Sequence, residues 1–98
     1  GSTYTFTSEL WEWTGKAPWR FFSLPEEITD EIDERHSSDA AGFGSVKVEV
    51  TIGSTTWQTS IFPDTKRGTF ILPVKKAVRT AEDLSDGATA ELHLRVLI

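Results

Sequence analysis

The chain has 98 residues, 38% hydrophobic and 26% charged, with a formal net charge of −5 and a pI near 4.9. That length supports one hydrophobic core and excludes a second, so residues 3–98 are expected to form a single domain. The lack of Cys excludes disulfides, thiolate metal sites and Cys nucleophiles, and no apolar run approaches the ~20 residues of a membrane span.

Gly1-Ser2 in place of an initiating Met reads as the remnant of a cleaved tag, and no secretory leader is visible, so a cytoplasmic domain is expected. From Thr3 to Trp13 the chain is rich in Thr and aromatic residues, which suit a pleated surface. Tyr4, Phe6, Ser8 and Leu10 fall on one face, and Thr5, Thr7 and Glu9 on the other. Trp11 and Trp13 then land on the polar face. Either a bulge flips the register there, or the strand ends in an outward aromatic pair. Thr14-Gly15-Lys16 reads as a turn, and Trp19 to Leu24 as a second strand.

Pro25 opens a helix, with Glu26 and Glu27 at the positive end of its dipole. Ile28 and Ile32 form its apolar stripe, Glu31 and Arg35 pair four apart, and the helix is expected to stop near Arg35. His36 to Gly44 reads as a surface loop. Val46, Val48, Val50 and Ile52 alternate with Lys47, Glu49 and Thr51, a half-buried strand, and Gly53-Ser54 makes a tight hairpin. Thr55 to Phe62 returns, and Asp64 to Gly68 turns into a strand over Thr69 to Val74 with Phe70, Leu72 and Val74 on one face. Lys75 to Ala81 is a short helix with Ala77 and Val78 inward and Lys75, Lys76 and Arg79 outward. After the Asp86-Gly87 turn, Ala88, Ala90, Leu92, Leu94 and Val96 point inward from the last strand. The expected fold is mainly β: six short, mostly antiparallel strands and two short helices, in a small barrel or two-sheet sandwich.

Three runs carry a family resemblance: Gly42 to Val48, Thr56 to Pro63, and Phe70 to Arg79, together with Leu10-Trp11 and Leu24-Pro25-Glu26. With them the chain resembles the bacterial and archaeal family called domain of unknown function nineteen-oh-five over nearly its whole length. The resemblance implies a closed, six-stranded, double-split β-barrel with helices covering its ends, and no settled activity. Some relatives carry a second domain associated with bacteriocin protection, and none is expected within these 98 residues. The last third is also similar to swapped-hairpin regulators and antitoxins, many of which bind DNA. This chain has Asp86-Gly87 where they commonly have Gly-Asp, and it is acidic, so that pattern supports fold more than function.

The charge is unevenly placed. Glu26 to Asp39 holds seven acids and one base, whereas Lys66 to Arg79 holds five bases and no acid. Lys75 and Arg79 share a helix face, Lys66-Arg67 sits on a turn, and Trp57, Thr59 and Ser60 lie on a nearby strand. Together these form a candidate site for an anionic or aromatic small ligand, because Arg offers a fork and Lys a point charge to a phosphate or carboxylate. The plain alternative is a solvated basic face paired with the acidic helix. The overall charge disfavours nucleic acid, whose binding draws on a basic footprint. Asp30, Asp33, Glu34, His36 and Asp39 cluster in sequence without any known ligand spacing, so neither a metal nor another cofactor is expected. His93 shares an outward row with Glu91 and Arg95. No nucleophile elbow, phosphate-binding Gly loop or zinc-protease helix is present.

The sequence therefore reads as a non-catalytic binding or accessory module, for a small ligand or a partner protein, as a monomer or homodimer. Two alternatives stand beside it: a nucleic-acid-binding regulator, and a small barrel enzyme of unfamiliar chemistry. Burial of Glu9, Glu12 or His93 beside Trp side chains is the arrangement that would favour the enzyme.

Overall fold

The computed structural model describes residues 2–15, 18–36 and 44–97. Among these described residues, seven strands and two helices follow in the order β1 (Thr3–Glu9), β2 (Trp11–Glu12), β3 (Arg20–Ser23), α1 (Glu26–His36), β4 (Val46–Ile52), β5 (Thr55–Asp64), β6 (Thr69–Pro73), α2 (Lys76–Ala81) and β7 (Thr89–Val96). The strands are antiparallel and ordered β1-β7-β4-β5-β6-β3-β2, forming an open half-barrel.

Two stretches divide their hydrogen bonds between the halves of this sheet. In β5, Thr55–Ile61 pairs with β4, and Phe62–Asp64 pairs with β6. The stretch Thr3–Glu12 does the same, with β1 on β7 and β2 on β3. It divides at Leu10, whose N–H donates to Ala88 O and whose carbonyl accepts from Gly87 N. That residue's backbone is thus committed to the turn before β7, and pairing with β3 begins only at Trp11.

This split corrects two expectations. Six strands become seven, and the closed six-stranded barrel is not formed. No backbone ladder joins β1 to β3; Ser8 Oγ donating to Ser23 O, at 2.8 Å, is a side-chain bond between them.

The core lies on the concave face. Phe6, Leu10, Val48, Val50, Ile61, Phe70, Leu72, Leu92 and Leu94 fill it, and the strand alternation places each of them there. Trp57 belongs to this core. Helix α1 follows Pro25 as expected, buries Ile32 in the core and pairs Arg35 with Glu31. It is tied to β6 by Phe70 N–H, which donates to Thr29 Oγ1 at 3.1 Å. Helix α2 buries Val78. The Gly53-Ser54 hairpin is a two-residue loop between the paired Ile52 and Thr55, with Gly53 at φ +57°. Among the described residues, no helix is long and apolar enough to cross a membrane.

Strand β6 departs from simple alternation. Phe70, Ile71 and Leu72 are all buried, because this part of the sheet is covered on both faces. The inner cover is the core. The outer cover is a layer of aromatic rings described below.

Candidate functional site

Four of the residues singled out from the sequence converge on one groove. Trp57, Thr59, Lys75 and Arg79 line it, with Pro18, Trp19, Arg20, Gln58, Pro73 and Val74 completing its walls, around about 340 Å³. Its floor is where β5 runs past the end of β6, so the ring of Trp57 can be core-packed and still present an edge to the groove. Its basic wall is one side of α2, from Lys75 just before the helix to Arg79 in its last turn.

The charges on that wall differ in availability. Arg20 is held by Glu12, at 3.0 Å, and by Asp86, at 2.6 Å. Arg79 donates its Nε to Val74 O at 3.2 Å, which fixes the guanidinium and leaves its two terminal amino groups as donors. No carboxylate pairs with Lys75 or Arg79 among the described residues. The acidic helix therefore does not neutralise this wall; its tie to the sheet is at Thr29 and Phe70.

Lys66, Arg67 and Ser60 stand elsewhere. Lys66 and Arg67 line a separate hollow with Trp13 and Thr14, at the far end of β6. The four residue steps of Thr69–Pro73 put roughly 13 Å between the two ends. Arg67 is paired with Asp64 at 2.9 Å, and its guanidinium lies 3.8 Å above the Trp11 ring. Asp64 also accepts from the backbone N–H of Lys66 and of Arg67. Ser60 lines neither hollow.

The feature that sequence reasoning saw only at its edge, in Trp11 and Trp13, is the outer aromatic layer. Phe21 is its centre, with Trp11 at 5.1 Å, Trp13 at 6.4 Å and Trp19 at 6.1 Å between ring centroids. Phe62, Ile71 and Pro73 extend it into an apolar hollow of about 340 Å³. Trp13, Trp19 and Phe62 remain 45%, 53% and 41% exposed, while Phe21 and Ile71 beneath them are buried. The outward aromatic pair anticipated at Trp11 and Trp13 is thus the edge of a larger surface. Its further signal was the unbroken apolar character of Phe21-Phe22 and Phe70-Ile71-Leu72, which a one-sided strand does not need.

Other candidates are placed singly. His36 is buried and shares a hydrogen bond with Ser2 Oγ at 3.2 Å, whereas Asp30, Asp33 and Glu34 are exposed; Asp39 lies outside the described residues. No group of three or more His, Asp or Glu side chains converges among the described residues. His93 is exposed, between Thr5 Oγ1 at 3.1 Å and Glu91 at 3.2 Å, and Arg95 reaches across to Glu49 at 3.0 Å. Glu9 and Glu12 are exposed as well, so the arrangement that would favour an enzyme is not present at these three residues. Hydrogen bonds from Arg95 and Gln58 hold Glu49 below the usual carboxylate range. Burial works against the charge of Asp64, but bonds from Arg67 and Lys66 outweigh it and lower its pKa too. Both shifts are opposite to what a proton donor near neutral pH requires.

No curated protein matches this chain. Residues 6–94 match the family described as Domain of unknown function (DUF1905), and the chain belongs to that family.

Proposed function

We propose that this domain is a binding module for a small anionic ligand that also carries a flat, apolar part. The carrying observation is the groove in which Lys75 and Arg79, free of carboxylate partners among the described residues, face the rings of Trp19 and Trp57. A phosphate or carboxylate is met by the terminal amino groups of Arg79 and the ammonium of Lys75. The apolar part lies against Trp19, and Gln58 and Thr59 offer hydrogen bonds that set its orientation. Arg20 does not supply the charge, since Glu12 and Asp86 already occupy it. Its role is to hold the groove wall.

The test pairs native mass spectrometry of gently purified protein with a variant carrying Lys75→Ala and Arg79→Ala. The expected result is a discrete added mass on the 10.9 kDa chain that the double variant lacks. Loss of the Arg79–Val74 bond is expected to lower stability by only about 1 kcal/mol. An adduct retained by the double variant places the ligand elsewhere. A bare mass, together with no tryptophan-fluorescence response to pyrophosphate, refutes the reading.

A further inference from the structure

The outer aromatic layer is not used by the groove, except at Trp19, which borders both hollows. Its rings are open on the convex face of the sheet. Trp19 stacks on Phe21 at an interplanar angle of 11°, so one ring face is covered and the other is available. Trp13 and Phe62 are likewise open. The charges around this surface are sorted. Glu12 and Asp86 are taken by Arg20, and Asp64 by Arg67. Among the described residues, no carboxylate pairs with Lys66, Lys75, Lys76 or Arg79. Unpaired cations thus stand at both ends of an exposed aromatic platform. Of the acids of α1, Asp30 and Asp33 border a separate hollow with Asp64 and Thr65, at the turn that also carries Lys66, while none of them lines either of the hollows that Trp19 borders, the one with Lys75 and Arg79 included. The net charge of −5, which counted against nucleic acid at the level of the whole chain, does not describe the Lys75–Arg79 end of this face, whose hollow no carboxylate lines.

We propose that this face binds single-stranded nucleic acid, with bases stacked on Trp13, Trp19 and Phe62 and phosphates on Lys66 at one end and Lys75 and Arg79 at the other. A positive track beside open aromatic faces is what a single strand requires, since every base has a face to stack and every linkage a charge. Charge complementarity selects this occupant. A second copy docked face to face would set the same cations against each other. A neutral apolar peptide would leave them unmatched. The proposal goes beyond the groove reading and shares Trp19, Lys75 and Arg79 with it.

The experiment is fluorescence anisotropy of the full chain with end-labelled single-stranded DNA 12-mers, one of oligo-dT and one of mixed sequence, from 50 to 200 mM NaCl, with the mixed-sequence duplex and an acidic, Pro-rich peptide measured beside them. The three cations placed on phosphates, Lys66, Lys75 and Arg79, predict a log–log salt slope of about −2, or roughly a 16-fold loss of affinity over that range. Trp13→Ala and Phe62→Ala are each expected to weaken binding by at least about fivefold. Lys66→Glu, at an exposed turn, keeps the test independent of any damage to folding, and is expected to weaken binding and flatten the slope. Trp13→Ala and Phe62→Ala should leave the pyrophosphate response of the groove intact, which separates failure of this proposal from failure of that reading. No binding at 50 mM NaCl overturns the proposal, as does equal affinity for duplex and single strand, or affinity unaltered in Trp13→Ala and Phe62→Ala. Capture of an acidic, Pro-rich peptide in place of the oligonucleotide also overturns it, and makes the platform a peptide-docking surface.

Discussion

Replacing Thr29 by Val tests the account of how α1 is joined to the sheet. The β3–β6 ladder ends at Ser23 opposite Ile71, and Leu24 N–H then donates to Phe70 O. The next acceptor along that edge is withdrawn, because Pro25 O serves the first turn of α1 by accepting from Thr29 N. Phe70 N–H, on a buried residue, is satisfied instead by the Thr29 hydroxyl at 3.1 Å. Val has nearly the same shape and helix propensity as Thr, so Thr29→Val removes the acceptor and little else. An amide left buried without a partner costs about 1–3 kcal/mol. In a domain of this size that corresponds to a fall in Tm of at least about 4 °C. Urea denaturation should show a lower midpoint with an unchanged slope, and the Phe70 amide should lose hydrogen-exchange protection. Thr29→Ser retains the hydroxyl and should retain most of the stability. A Val variant within about 0.5 kcal/mol of the parent, or a Ser variant as damaged as the Val variant, refutes the assignment.

The remaining predictions concern charge and the hairpin. The pKa of Asp64 is depressed in the folded state, so its contribution to stability is complete above the unfolded Asp value near 3.9 and is lost as pH falls through the lower folded value. Asp64→Asn should therefore flatten the loss of stability below about pH 4 in acid titrations followed by circular dichroism; an acid limb as steep as the parent's refutes this. Gly53→Ala should cost roughly 1–2 kcal/mol, measured by thermal melting, because φ +57° disfavours a side chain and the added Cβ would also collide with the Glu82 carboxylate, which accepts from Thr55 Oγ1. Gly68→Ala, at φ +73° with open space around it, should cost less, and equal losses would show that the Glu82 contact carries no weight.

Much of the fold was legible because period-two alternation is a local signal. Val46 to Ile52 and Ala90 to Val96 show which face is wet, and both strands form where the alternation places them. Both helices sit within a residue of their expected limits, since Pro25 and the Ile28/Ile32 spacing mark one and the outward Lys75, Lys76 and Arg79 mark the other. The division at Leu10 was harder to see. Nothing in the residue itself marks it, because Leu10 is buried on the face that alternation assigns. What breaks the strand is the use of its backbone groups by Gly87 and Ala88, more than seventy residues away.

The candidate site was legible only in part, for the same reason. Lys66, Arg67, Lys75 and Arg79 are close in sequence, and their common sign invites a single site. An intervening extended strand converts that closeness into separation: β6 carries Lys75 and Arg79 to one end of the sheet and leaves Lys66 and Arg67 at the other. Trp57, further away in sequence, comes to the same groove as Lys75 because β6 pairs with β5 and ends beside it. The aromatic residues behave in the opposite way. Trp13, Trp19 and Phe62 come from three separate segments, and Phe21 gathers them because β2, β3, β6 and β5 lie side by side. A strand buried on both faces needs an outer cover, and a small domain can supply one with a few large rings whose far sides stay open. The layer that completes the burial of Phe21 and Ile71 is thereby also the most exposed apolar surface of the described residues. Stability and recognition draw on the same rings here, so Trp19 is the residue at which a loss of folding and a loss of binding must be measured side by side.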